Sequence, residues 1–157
     1  MTEENKRKVK YLSGYINALG TVARCKRTIE ALNRDIDLLR MKESEPRSNN
    51  ITGMPSAKNA KRDLSDYAAS LDNYERQISS LLLAIDKTMT EAAMEAEKIY
   101  YAINSMKTSR YKDILTDVFI GRMTFRDMAD KYGYTRGGMY KVYVKALNEL
   151  ELPGDKL

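Results

Sequence analysis

Thr124-Phe-Arg-Asp-Met-Ala-Asp-Lys-Tyr-Gly-Tyr-Thr-Arg-Gly-Gly-Met-Tyr-Lys-Val-Tyr-Val-Lys-Ala-Leu-Asn-Glu-Leu150 holds two helix starts separated by a glycine. Thr124 is a good N-cap residue, and Asp127, three positions on, can close a capping box. Phe125, Met128, Ala129 and Tyr132 recur at three- and four-residue spacing, as on a short helix with one buried face. Ala129 is small where a crossing helix must come close. Gly133 follows the last apolar position, where a chain leaving a helix commonly takes a positive φ. Tyr134 suits the gap between two helices, and Thr135 supplies the second N-cap. Met139, Val142, Tyr143, Ala146, Leu147 and Leu150 then make another apolar face, with Leu152-Pro-Gly154 as the stop. A preceding helix from about Arg110 to Ile120, apolar at Tyr111, Ile114, Leu115, Val118 and Phe119, ends at Gly121. The stretch predicts a helix-turn-helix.

The residues left outside on the last helix are Arg136, Gly137, Gly138, Tyr140, Lys141, Val144, Lys145 and Asn148. No acid occurs between Asp130 and Glu149. A helix-turn-helix sets its second helix in the major groove, and a face without carboxylates does not repel phosphates. Thr135, Arg136, Gly137, Gly138, Tyr140, Lys141 and Lys145 are therefore the candidate DNA contacts. Arg122, Arg126 and Lys131 rank behind them as phosphate contacts. Gly137 and Gly138 each cost about 1 kcal/mol of helix stability. Close approach of the backbone to DNA is one reason to keep them; a frayed helix start is the other.

Upstream, a helical pattern runs from about Glu4 to Met41. Leu12, Ile16, Leu19 and Ala23, then Cys25, Ile29, Leu32, Ile36 and Leu39, follow coiled-coil spacing with a phase change between the runs. Pro46, Gly53 and Pro55 mark a loop over about residues 42–62. The next helix, over 63–106, carries Leu64, Tyr67, Leu71, Tyr74, Ile78, Leu81 and Ile85 at strict three-four spacing. Met89, Ala92, Ala96, Ile99, Ile103 and Met106 continue it after a stutter. About 65 Å of helix with one apolar stripe needs a partner. Residues 1–42 carry 10 Lys/Arg against 5 Asp/Glu, and residues 63–106 carry 3 against 8, so the first helix is a complementary mate. The expectation is an all-α chain: a long antiparallel helical hairpin over residues 1–106, used for oligomerisation, then a small helix-turn-helix domain over residues 107–157. Two such hairpins can pair into a four-helix homodimer.

The 157 residues include no His and a single Cys, Cys25. That inventory excludes a His-dependent zinc site, a Cys–His dyad and a Ser–His–Asp triad. With no convergent acid pair either, no enzymatic activity, metal or other cofactor is expected. The start of the chain lacks the apolar core of a signal peptide, and no run approaches the ~18 apolar residues of a membrane span. A soluble, cytoplasmic protein that uses no small-molecule substrate and no membrane is expected.

The stretch from Thr124 to Leu150 resembles region four of bacterial sigma factors. That pattern reads Thr-Leu-x-Glu-Ile-Ala-x-x-Leu-Gly-Val-Ser-x-x-x-Val, then an Ala-Leu pair and a final Leu, and it aligns without a gap. Over nearly its full length the chain also resembles the small late-gene transcriptional regulators of phages and prophages, the RinA/ArpU-type group. The resemblance implies a promoter-binding activator of late or packaging genes that acts on double-stranded DNA and can contact RNA polymerase. Sigma region four reads the −35 promoter element with charged and amide side chains early in its last helix. Only Arg136 keeps that residue type here; Gly137, Gly138, Tyr140 and Lys141 replace the others. Two alternatives share these features: a DNA-packaging adaptor such as a small terminase subunit, and a sigma-like module that binds polymerase.

Overall fold

The computed structural model describes residues 1–44 and 57–153, with side chains omitted at 57–63. All regular structure among the described residues is helical: α1 (Glu3–Leu12), α2 (Gly14–Ser44), α3 (Ala57–Asn104), α4 (Ser109–Phe119), α5 (Phe125–Tyr132) and α6 (Arg136–Glu149). Two compact units result. One combines Met1–Thr21 with Lys87 and the residues after it; the other is drawn from the residues between Val22 and Asp86.

The first unit has a continuous apolar core. Ile114, Leu115 and Phe119 of α4 meet Met128 and Ala129 of α5 and Met139, Tyr143, Ala146 and Leu147 of α6. Leu12 of α1 and Ile99, Ala102 and Ile103 of α3 belong to the same cluster. The boundary anticipated at residue 106 thus falls inside this unit. Three short helices bury only part of their apolar surface on one another, and α1 and the end of α3 cover the rest.

Thr2 caps α1 by accepting the Asn5 N–H at 3.2 Å. The single helix anticipated from Glu4 to Met41 is broken after Leu12, where Ser13 Oγ donates to the Val9 carbonyl at 2.7 Å. A Ser-Gly pair is a common place for a helix to bend, because the serine competes for the backbone and the glycine resists little. Gly14 is also close-packed: a Cβ there would come within 2.9 Å of Glu95 Oε2.

In the second unit, Leu39, Lys42 and Glu43 at the end of α2 share a depression with Asp66, Tyr67 and Ser70 near the start of α3, as two arms of a hairpin do. Val22, Leu32 and Ile36 are buried there, while Tyr67, Leu71, Tyr74, Ile78, Leu81 and Ile85 are half-buried. Val22 rather than Ala23 is the inward residue, because it lies three positions before Cys25 and in phase with Ile29, Leu32 and Ile36. Leu64, expected in the seam, is 56% exposed, and so is Leu38. Cys25 is half-buried. The loop anticipated over 42–62 is shorter at both edges, because α2 continues to Ser44 and α3 begins at Ala57. The residues between 42 and 44 and between 57 and 62 include no Gly or Pro to stop a helix. The remainder of that loop, 45–56, lies outside the described residues. None of the helices among the described residues is long and apolar enough to cross a membrane.

Candidate nucleic-acid interface

α5 begins as its sequence requires. Thr124 Oγ1 accepts the Asp127 N–H at 3.2 Å, and Asp127 Oδ2 accepts the Thr124 hydroxyl at 2.7 Å and its N–H at 3.4 Å. Gly133 ends the helix at φ 69°, and the Tyr134 N–H returns to the Ala129 carbonyl at 2.9 Å. Tyr134 is half-buried at the turn, with the Arg110 guanidinium 4.9 Å above its ring. Ala129 is 5% exposed among neighbours of the core, which fits the close approach its size suggests.

Thr135 caps α6, accepting the Gly138 N–H at 3.1 Å. The two glycines behind it differ. A Cβ on Gly138 would sit 3.1 Å from Thr135 Oγ1 and press on the capping bond, whereas a Cβ on Gly137 would meet no heavy atom within 4 Å. Packing therefore accounts for Gly138 and leaves Gly137 without an internal reason. Arg136, Gly137, Tyr140, Lys141 and Lys145 are exposed. Val144, expected outside, is half-buried against the core.

Arg136, Gly137 and Tyr140 share a depression with Thr124, Phe125 and Arg126, so the first turns of α5 and α6 open onto one surface. Its floor is aromatic. Phe125 packs edge-on against Tyr140, with ring centroids 6.0 Å apart, and against Tyr143 at 5.1 Å. Burial, with Tyr140 beside it, pushes the Tyr143 phenol up to about 12, so it stays neutral and packs as an aromatic. Tyr140 keeps 45% of its surface in solvent and is the large aromatic that α6 offers outward.

The second-rank cations separate. Arg126 and Arg122 are exposed, and Arg122 stands in the left-handed region at φ 57°. Lys131 has an internal partner instead. Its ammonium lies 2.6 Å from Asp117 Oδ2, which also accepts the Tyr132 hydroxyl at 2.6 Å, so Asp117 ties α4 to α5. Burial first, then the bond to Asp117, raises the Tyr132 pKa and keeps that proton in place. Lys131 is thereby partly neutralised and belongs to the scaffold as much as to the face.

The far end of α6 carries interactions that the sequence does not announce. Glu149, its single acid, accepts from the Thr108 N–H at 2.8 Å, the Thr108 hydroxyl at 2.7 Å and the Lys107 N–H at 3.1 Å. These bonds, the Thr108 hydroxyl first, hold its carboxyl below the ordinary range. Glu149 thus satisfies donors at the start of α4 and carries no charge onto the basic face. Lys8 of α1 is almost wholly buried; its ammonium donates to the Leu147 carbonyl at 3.1 Å and pairs with Glu4 at 2.8 Å. A cation there satisfies an end carbonyl and suits the negative end of the helix dipole. Asn5, also buried, donates from Nδ2 to Asn148 Oδ1 at 2.7 Å. Asn5, Lys8 and Leu12 stand three and four apart, so extending the Leu12 stripe backward would have located both polar residues.

The arrangement offers phosphates and base edges cations, two capped helix starts and an exposed tyrosine. No protein-family model matches the chain, and neither any curated protein nor any solved structure matches it.

Proposed function

We propose that the chain is a sequence-specific DNA-binding transcriptional regulator that lays α6 in the major groove. The observation that carries this reading is the exposed row of Arg136, Tyr140, Lys141 and Lys145 on a helix capped by Thr135, whose one acid is bonded to the start of α4. In this reading Arg136, Tyr140, Lys141 and Lys145 contact the groove, Gly137 lets the backbone come close, and Arg122 and Arg126 bind flanking phosphates. The late-gene role of the phage and prophage regulators that the sequence resembles is proposed with it, as is contact with RNA polymerase.

A homodimer through α2 and α3 completes the proposal. A two-helix hairpin that leaves Leu38, Met41, Leu64, Leu82 and Leu83 more than half exposed gains from a second copy of itself. The test is selection of bound fragments from random duplex DNA. A dimer should enrich two half-sites at fixed separation, in multiples of about 10 base pairs. Enrichment of single sites argues for a monomer, and failure to enrich anything rejects the reading.

A further inference from the structure

We infer that α1 is a second DNA-contacting element, seated beside the reading helix so that Lys6 and Lys10 meet the phosphate strand bordering the groove. The inference rests on the proposed function and extends its footprint to the other end of the chain. Lys141, Lys145 and Asn148 stand at i, i+4 and i+7, one row along the exposed face of α6. Asn148, the last of that row, is bonded to Asn5 of α1. The basic row of α6 therefore runs directly onto α1.

Length decides what lies at that junction. The 14 residues of α6 span about 21 Å, whereas the major groove is about 12 Å wide. A helix whose first turns reach the bases brings its last turn out beside the bordering strand. α1 is fixed there by Lys8 and Asn5, which with Leu12 make its buried face. The opposite face, about half a turn round, carries Lys6, Arg7 and Lys10 against Glu3. Lys8 spends its charge on Glu4 and the Leu147 carbonyl. Lys6 is paired with Glu3 at 2.5 Å, but both side chains are largely in solvent, where such pairs are weak and a phosphate can displace them. Because α1 is already anchored, little ordering is needed on binding.

The test is a salt series of duplex binding by the full chain carrying Lys6→Gln and Lys10→Gln, beside Lys141→Ala with Lys145→Ala. Glutamine keeps helix propensity, and both lysines are exposed, so the fold is retained; circular dichroism and melting verify it. The slope of log affinity against log salt should fall by about 0.9 for each phosphate that is no longer neutralised, or about two for the α1 pair. Hydroxyl-radical protection should shrink on one flank only. A parental slope for the α1 pair, with a shallower slope for the α6 pair, overturns this inference and leaves the groove-reading proposal standing. An equal fall for Lys26→Gln with Lys42→Gln on α2 also overturns it, since overall charge would then be the cause. Slopes unmoved by both the α1 and α6 pairs overturn the proposed function together with this extension.

Discussion

At its start α6 is held by one capping threonine, carries two consecutive glycines and turns Arg136, Tyr140 and Lys141 to solvent. At its end Leu147 and Leu150 are fully buried, Lys8 and Asn5 bind from α1, and Glu149 bonds the start of α4. One end packs through Met139 and turns an exposed, basic face to solvent; the other is anchored by α1 and by the start of α4. The comparison teaches that the scaffold of α6 is not confined to α4 and α5 but includes α1.

The sharpest way to break the comparison is to hollow out the anchored end. Leu147→Ala should cost about 2–5 kcal/mol of unfolding free energy, because the surroundings cannot close fully on the missing methyl groups. Chemical denaturation measures it, and a loss below about 1 kcal/mol would mean that this end is not the anchor. Next, Lys8→Ala leaves the Leu147 carbonyl without its buried donor and should cost about 1–3 kcal/mol. A neutral result would place α1 outside the folding unit.

At the exposed end the signs reverse. Gly137→Ala should raise stability by about 1 kcal/mol, since alanine is the better helix former and a Cβ meets open space. The same change should weaken duplex binding if DNA approaches the backbone there; unchanged affinity with raised stability would reduce Gly137 to a frayed turn. Arg122 poses the same opposition between stability and binding. An arginine at φ 57° carries a steric cost of about 1–2 kcal/mol that glycine lacks. Arg122→Gly should therefore raise the melting temperature while it weakens DNA binding. A substitution that stabilises without loss of affinity would remove Arg122 from the interface.

Much of the first unit was legible because its signals are local. Thr124, Asp127, Gly133 and Thr135 specify caps and a turn through bonds within three or four residues, and each is found as the sequence implied. The apolar spacing of α4, α5 and α6 likewise located Ile114, Leu115, Met128, Met139 and Tyr143 in the core. The bonds Asn5–Asn148 and Lys8–Leu147 were not legible, because they join residues about 140 positions apart and use polar side chains that normally face water. Ser13-Gly14 is a readable break, but the spacing of Leu12, Ile16 and Leu19 runs across it and hides it. Lys131 is the surface cation that the sequence suggests, but nothing in its neighbourhood announces its partner Asp117, which lies one helix earlier.

The smallest expected effect concerns pH. Glu149 has its folded pKa below the ordinary carboxylate value, so its contribution is fully present above the unfolded pKa, near 4.3. It is lost as pH falls through the lower folded value. The parent should therefore lose more melting temperature than Glu149→Gln on acidification through that window. Parallel pH profiles for the two proteins would show that the Glu149–Thr108 bonds contribute nothing to the anchored end.

The most direct test of the account is fluorescence anisotropy with a labelled mixed-sequence duplex, titrated with the parent and with Lys141→Ala plus Lys145→Ala across a range of salt. The expected result is binding in dilute buffer that weakens steeply with salt, with a slope about two units shallower in the double variant. A parent protein that leaves the duplex unbound in dilute buffer, or two proteins with the same slope, would contradict the assignment of α6 as the helix that meets DNA.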